Sequence, residues 1–191
     1  MLTELPSLMR SGTRGATAPK PRYRGTSHQF AFFVAIGAGA VLVGMAPPGR
    51  ATWAAAVFAG SLAWLLGVSA FYHRLVWPRH IREWLRRLDH ASIFVLIGGS
   101  YTPVCLFALP AADARTLLAV VWGGVAVGLL LTLFWIRRPR GITAVVYLSL
   151  SWVAVAYAGP LRQALDASSF ALIAAGGVFY SVGALVYALR R

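Results

Sequence analysis

The chain has 191 residues, of which 59% are hydrophobic and 12% charged, with a mean hydropathy of +0.69. A soluble domain of this size is not so apolar, so the composition predicts a multi-pass protein of the cell membrane. The net charge of +13 would suit a nucleic-acid binder, but the positions of the basic residues, described below, exclude nucleic acid as the predicted partner.

The first segment, residues 1–26, mixes Ser, Gly, Thr, Pro and basic residues without an apolar period. It is predicted to be a cytoplasmic N-terminal tail, and residues 27–191 are predicted to form one transmembrane helix bundle. The first apolar run is followed by Pro47-Pro48-Gly49-Arg50 rather than by a small-residue cleavage site. This run is therefore predicted to remain as a span and not to be removed as a signal peptide.

Six apolar runs are near the length of about 20 residues that a membrane-spanning helix needs. They cover residues 30–47, 51–72, 91–112, 116–136, 141–161 and 167–189. They lack the strict alternation of barrel strands, and helices satisfy every backbone polar group in lipid. The predicted fold class is all-α, a polytopic transmembrane bundle whose connections after the first span are short.

The basic residues alternate between the two sides of the predicted bundle. Only Arg50, Arg115 and Arg162 of the 18 lie on one side. The other 15 are Arg10, Arg14, Lys20, Arg22, Arg24, Arg74, Arg79, Arg82, Arg86, Arg87, Arg137, Arg138, Arg140, Arg190 and Arg191. The positive-inside rule places this richer side, with the N-terminus, in the cytoplasm. Contact with anionic membrane lipids accounts for the charge.

Three polar residues are predicted to meet near the inner leaflet. Ser69 and His73 are four residues apart and share one helix face. Asp89 begins the third predicted span on the same side of the membrane. An ionisable residue at a span indicates a functional site. An imidazole, a hydroxyl and a carboxylate suit a metal with a bound water, with His73 as ligand and Asp89 as the group that orients or deprotonates the water.

A purely structural alternative explains the same residues. His73 would cap the C-terminal end of its helix. Asp89 would lie at the N-terminus of the next helix, where the macrodipole favours an anion. Arg86 or Arg87 would then pair with Asp89. The residue types and their spacing leave both interpretations open.

The other histidines have separate predictions. His28 precedes the first span on the same side and can approach the site. His90 follows Asp89 and is expected to point about 100° away around the helix. His80 is expected to be solvated in a basic loop. Paired glycines at 98–99 and 176–177, and the Gly124/Gly128 pair, predict close helix approach.

Several segments carry a resemblance to a known family. They are SAFYH at 69–73, LDHASI at 88–93, GSYTP at 99–103, RGTSH at 24–28 and GGVFYSVGA at 176–184. These motifs, in this order, resemble the hemolysin III family, which belongs with the adiponectin and progestin receptors. The resemblance runs from about residue 22 to the end of the sequence.

The resemblance implies a seven-helix fold with a cytoplasmic N-terminus and zinc held near the inner leaflet by three histidines. One histidine lies in the second helix and two lie in the seventh, while an aspartate at the third helix holds the metal's water. By this likeness His73 is a zinc ligand, Asp89 holds the water and Ser69 is a further member of the site. The sequence ends at Arg191 before a seventh helix with His-x-x-x-His, so the zinc site is expected to be incomplete in this chain.

The resemblance implies two classes of function. One is a zinc-dependent hydrolase of a lipid amide or ester bond, in which Asp89 and Ser69 are catalytic. The other is a pore-forming or cytolytic protein, or a receptor-like protein without catalysis. Charge is scarce inside the predicted spans, so no polar stripe lines a pore, which favours a site over a channel. The residues leave the substrate and the oligomeric state open.

Overall fold

The computed structural model describes residues 23–135 and 140–189, and within these ranges every regular element is a helix. The elements are α1 (Thr26–Met45), α2 (Arg50–Arg74), α3 (Arg79–Ala108), α4 (Ala111–Phe134), α5 (Arg140–Trp152), a 3₁₀ segment (Val153–Tyr157), α6 (Ala158–Ala164) and α7 (Ala167–Leu189). The predicted all-α class is confirmed. Most of the predicted tail lies outside the described residues, because the description begins at Tyr23.

Six helical stretches among the described residues are long and apolar enough to cross a membrane. They are Thr26–Met45, Arg50–Arg74, Arg79–Ala108, Ala111–Phe134, Val145–Ala164 and Ala167–Val186. These confirm the six predicted spans and a multi-pass membrane protein. The cytoplasmic orientation of the N-terminus stays a prediction, and many of the basic residues on which it depends lie outside the described ranges. These are Arg10, Arg14, Lys20, Arg22, Arg137, Arg138, Arg190 and Arg191.

The first four helices run antiparallel, and arginine side chains join their neighbouring ends. Arg50 at the start of α2 donates from Nη2 to the carbonyl oxygen of Leu106 near the end of α3, at 2.8 Å. Arg87 in α3 donates from Nη1 to the carbonyl oxygen of Leu133 in the last turn of α4, at 3.0 Å. The last carbonyls of a helix have no partner within it, so these guanidinium groups satisfy acceptors that lipid cannot.

Helix α3 is the centre of the bundle. Half of the residues in its most apolar window are buried, against 6% for α1 and none for α7. Gly128 of α4 faces Phe94 of α3 so closely that a Cβ would collide with the ring, and Gly99 lies equally close to Ser61. These contacts confirm two of the predicted close approaches. Among the described residues no atom lies within 4 Å of a Cβ built at Gly176 or Gly177, so the predicted close approach at this pair is wrong.

The fifth predicted span is not one continuous helix, because a tyrosine hydroxyl enters its hydrogen-bond ladder. In an α-helix the Ala154 N–H would donate to the carbonyl of Leu150. Instead it donates to the hydroxyl of Tyr101 at 3.1 Å, and that hydroxyl donates to the carbonyl of Ser151 at 2.7 Å. Insertion of a side chain into the ladder is a known cause of helix interruption. The span therefore continues as the 3₁₀ segment and α6.

The start of α7 is capped by Asp166. Its Oδ1 accepts the backbone N–H of Ser169 at 2.9 Å, and its Oδ2 accepts the Ser169 hydroxyl at 2.5 Å. Hydrogen bonds from the side chains of Ser168 and Ser169 hold the pKa of the Asp166 carboxyl well below its usual range. The carboxylate stays ionised at the positive end of the helix dipole, which stabilises the first turn of α7.

Candidate functional site

The predicted site residues lie at one end of the bundle, where α1 begins, α2 ends and α3 begins. We call this the basic end, because Arg24, Arg74 and Arg79 also lie there. Helix α2 ends at Arg74 and α3 starts at Arg79, so a connection of only four residues, 75–78, joins them. Asp89 is ten residues after Arg79, so the connection and the first turns of α3 together bring the chain back to the last turn of α2.

His73 and Asp89 face each other across this junction. Nε2 of His73 is 3.9 Å from Oδ2 of Asp89, and their side chains are 23% and 16% exposed. The two side chains therefore lie at the same depth, as their places at the ends of adjacent predicted spans suggested. The separation is longer than a direct hydrogen bond. It is within the range of an ion pair, so the two groups interact electrostatically at the edge of the apolar core.

Ser69 lies one turn deeper and contacts His28. Its Oγ is 2.7 Å from Nδ1 of His28, and the Ser69 residue is buried. His28, whose position before the first span allowed an approach to the site, does reach it through this contact. Ser69 and His73 do share a face of α2, but that face contacts the beginning of α1. Ser69 is thus paired with an imidazole, while His73 is the residue that meets Asp89.

Arg24 is a contact of the site that the residue types and spacing did not predict. Its Nε donates to Nδ1 of His73 at 3.2 Å. Arginine has only donors, so Nδ1 of His73 must be an acceptor, and the proton of the neutral imidazole is then on Nε2, facing Asp89. The signal in the sequence was Gly25, which follows Arg24: its φ of 78° allows the turn that brings Arg24 over His73.

The structural alternative for Asp89 is wrong. Asp89 lies well inside α3, which begins at Arg79, whereas the helix-dipole effect is confined to the first turn. Among the described residues, neither Arg86 nor Arg87 forms an ion pair with Asp89. Arg87 instead bonds to the Leu133 carbonyl, and its guanidinium lies 4.6 Å from the ring centre of Trp84.

His90 and His80 also differ from their predicted places. Nδ1 of His90 is 4.0 Å from Oδ2 of Asp89 and 2.7 Å from the backbone oxygen of Arg86. His90 therefore stays beside Asp89, because its ring folds back along the helix toward the preceding turn. His80 is exposed as predicted, but it belongs to the first turn of α3 rather than to a loop.

The donor types at the junction suit zinc, but the set is incomplete. One imidazole nitrogen and one carboxylate oxygen face each other at His73 and Asp89, and both are groups that bind zinc. Within residues 23–135 and 140–189, however, no three His, Cys, Asp or Glu side chains are grouped so that they could hold a metal ion. The Arg24 bond also leaves a proton, not a lone pair, on Nε2 of His73. Any zinc at this junction needs further donors and the release of Arg24.

Two curated relatives are similar to this chain. A protein named "Hemolysin-3 homolog" from Bacillus subtilis (strain 168) is 31% identical over 135 residues, which are 71% of this chain and 63% of the relative. A protein named "Hemolysin-3" from Bacillus cereus is 32% identical over 131 residues, 69% of this chain and 59% of the relative. The matched part thus spans about three fifths of the length of each relative.

No solved structure matches the chain. The family described as "Haemolysin-III related" matches residues 16–191, which include all six spans and the whole junction of His73, Asp89, Ser69 and His28. The match extends over most of the chain and agrees with the two relatives. This membrane protein therefore belongs to the Haemolysin-III related family.

Proposed function

We propose that the protein is a zinc-dependent hydrolase of a lipid amide or ester bond, with its site at the junction of α2 and α3. The observation that carries the proposal is the 3.9 Å approach of His73 Nε2 to Asp89 Oδ2. These two groups lie at the end of the bundle, where lipid headgroups and water both have access. With the N-terminus in the cytoplasm, this end faces the inner leaflet.

Zinc, when bound, would polarise a water and make it nucleophilic near neutral pH. His73 would hold the metal through Nε2, with the remaining ligands supplied by water, lipid or a second chain. Asp89 would accept the proton of the attacking water. Ser69, held by His28, would donate a hydrogen bond to the lipid. Arg24 would have to leave Nδ1 of His73, because a neutral imidazole has only one proton to place.

Metal content tests the site without a substrate. The full chain, purified in mild detergent, is expected to bind about one zinc ion, and His73→Ala is expected to lose it because an imidazole ligand is removed. His80→Ala is the matched control, since it removes an exposed histidine of the same helical region. Mass spectrometry of the metal content gives the ratio. Absence of zinc in the wild type, or equal zinc in His73→Ala, would contradict the proposal.

Turnover tests the catalytic roles. With zinc present, Asp89→Asn is expected to lower the hydrolysis of ceramide or phospholipid by roughly 10²–10⁴-fold, because it removes a proton acceptor while keeping the shape. His80→Ala is again expected to behave like the wild type. Fatty-acid release measures the reaction. Unchanged release by Asp89→Asn would refute its assigned role.

Membrane lysis is a second candidate, since both relatives carry the name hemolysin. On this proposal the chain permeabilises membranes through its lipid-facing helices and without the junction. Purified chain is then expected to release a trapped dye from liposomes, and His73→Ala to release it equally well. Intact liposomes after addition of the wild type would contradict this candidate. Leakage that disappears with His73→Ala would instead connect it to the junction.

A further inference from the structure

A second polar site lies at the basic end, beside the junction but lined by different residues. A cavity of about 320 Å³ is bordered by Tyr72 at the end of α2 and by Arg79, Arg82, Glu83 and Arg86 in the first turns of α3. Ligand pockets start at roughly this size. The space suits a small polar group and is too small for a whole lipid.

The three arginines are placed by helix geometry. Arg79, Arg82 and Arg86 are spaced i, i+3 and i+7, so they lie along one face of α3. Arg79 forms an exposed ion pair with Glu83, with Nε 3.5 Å from Oε1. In the described part of the chain no acceptor contacts the guanidinium of Arg82 or Arg86. One carboxylate thus faces three guanidinium groups, and the cavity has an excess of positive charge with free donors.

The opposite face of the same turns is apolar and exposed. Ile81 and Trp84 are 37% and 56% exposed, and Val76 in the preceding connection is 83% exposed. A cationic face beside exposed aliphatic and aromatic side chains is typical of a helix that lies at the membrane interface. Tryptophan is also enriched at headgroup level. The cavity therefore opens where phosphate groups of lipids are located.

We propose that the cavity binds the phosphate of an anionic membrane lipid, with Arg82 and Arg86 as its main ligands. Guanidinium groups match phosphate because they donate two parallel hydrogen bonds. Ile81 and Trp84, on the opposite face, would hold these turns at the membrane interface. The glycerol and acyl chains of the bound lipid would stay among the lipids beside the cavity, an anchor that free phosphate lacks. Tyr72 forms the wall on the α2 side, so a bound headgroup would brace the residue next to His73.

The test uses the full chain in mild detergent, titrated with phosphatidylglycerol and, separately, phosphatidylcholine. Native mass spectrometry measures the bound lipid. The wild type is expected to prefer phosphatidylglycerol, and Arg86→Gln to weaken its binding about fivefold, as loss of one basic residue near a lipid surface does. The double variant R82Q/R86Q is expected to lose the preference. Glu83→Gln is expected to strengthen binding, because it removes the opposing carboxylate.

Arg87→Gln is the matched control for Arg86→Gln. It removes the same charge from the adjacent residue, but Arg87 bonds to the Leu133 carbonyl and does not line the cavity. It is expected to keep the lipid preference even if it lowers thermal stability, which circular dichroism records separately. Equal loss in both variants, or an unchanged preference in R82Q/R86Q, would overturn the proposal.

Competition with inorganic phosphate shows whether the cavity binds the phosphate of a lipid or a free phosphate ion. Millimolar phosphate is expected to leave the bound phosphatidylglycerol in place, since it lacks the acyl chains that anchor the lipid in the micelle beside the cavity. Displacement by phosphate at concentrations comparable to those of the lipid would overturn the assignment to a lipid and identify a site for small anions.

Discussion

At the scale of single residues, the candidate site depends on the turn before α1. Gly25 has a φ of 78°, and a Cβ built on it would lie 2.5 Å from the Cβ of His73. Only glycine fits there. Any other residue would be strained in this left-handed backbone conformation, and its Cβ would collide with the Cβ of His73. This glycine lets Arg24 reach His73 and lets α1 begin with His28 beside Ser69.

Gly25→Ala is therefore expected to destabilise the protein by about 1–2 kcal/mol, the cost of the left-handed conformation for a residue with a Cβ. The overlap with His73 adds to that cost. Gly60→Ala is the control: Gly60 is helical and has open space around it, so alanine there is neutral or slightly stabilising. Thermal unfolding in detergent compares them, and similar melting temperatures would show that the turn does not constrain the site.

At the scale of elements, the GSYTP segment of α3 has a structural role. The Tyr101 hydroxyl both accepts from Ala154 and donates to Ser151, so it replaces one bond of the helix ladder with two bonds between helices. Lipid offers no substitute partner for these backbone groups. The interruption of the fifth span is thus a property of α3 as much as of the span itself.

Tyr101→Phe is expected to lower the free energy of unfolding by at least about 1 kcal/mol, because buried backbone groups lose their partner. Tyr157→Phe serves as the comparison, since the Tyr157 ring packs against the same core while its hydroxyl has no partner among the described residues. Denaturation by a strong detergent measures both variants. Equal stability of Tyr101→Phe and Tyr157→Phe would contradict this prediction. It would mean that the backbone groups of Ser151 and Ala154 find other partners with no loss in the free energy of unfolding.

At the scale of the whole molecule, the two ends of the bundle differ in charge and in content. The basic end holds the junction of His73 and Asp89 together with the arginine cavity, while the opposite end holds Arg50, Arg115 and the cap at Asp166. Both proposed sites thus face one leaflet. The positive-inside rule assigns that leaflet to the cytoplasm.

This orientation predicts the labelling of two cysteine variants by a membrane-impermeant maleimide. In right-side-out vesicles Ser168→Cys, at the opposite end, is expected to react, and His80→Cys, at the basic end, only after the vesicles are opened. The native Cys105 is fully buried and stays unlabelled in both. The reverse pattern would place the basic end outside and refute an inner-leaflet site.

The fold class and the six spans follow from the sequence alone, which also places His73 and Asp89 at a similar depth. Hydropathy over about 20 residues is a local property, and two consecutive spans joined by a short segment end and begin on the same side of the membrane. It also indicated the family, because the motifs are contiguous. The start of α3 at Arg79 was not predicted. The predicted span began at residue 91, because the helical residues before it are largely charged and lie outside the apolar run.

The side chains that complete these features come together only through the packing of the helices. Arg24 reaches His73, His28 reaches Ser69 and Tyr101 reaches Ala154 across 41 to 53 residues of chain. Such contacts depend on how the helices rotate and pack against each other, and glycine contacts such as that of Gly128 with Phe94 set this packing. Periodicity within one span carries no information about the face of another, so these partners became visible only once the helices were assembled.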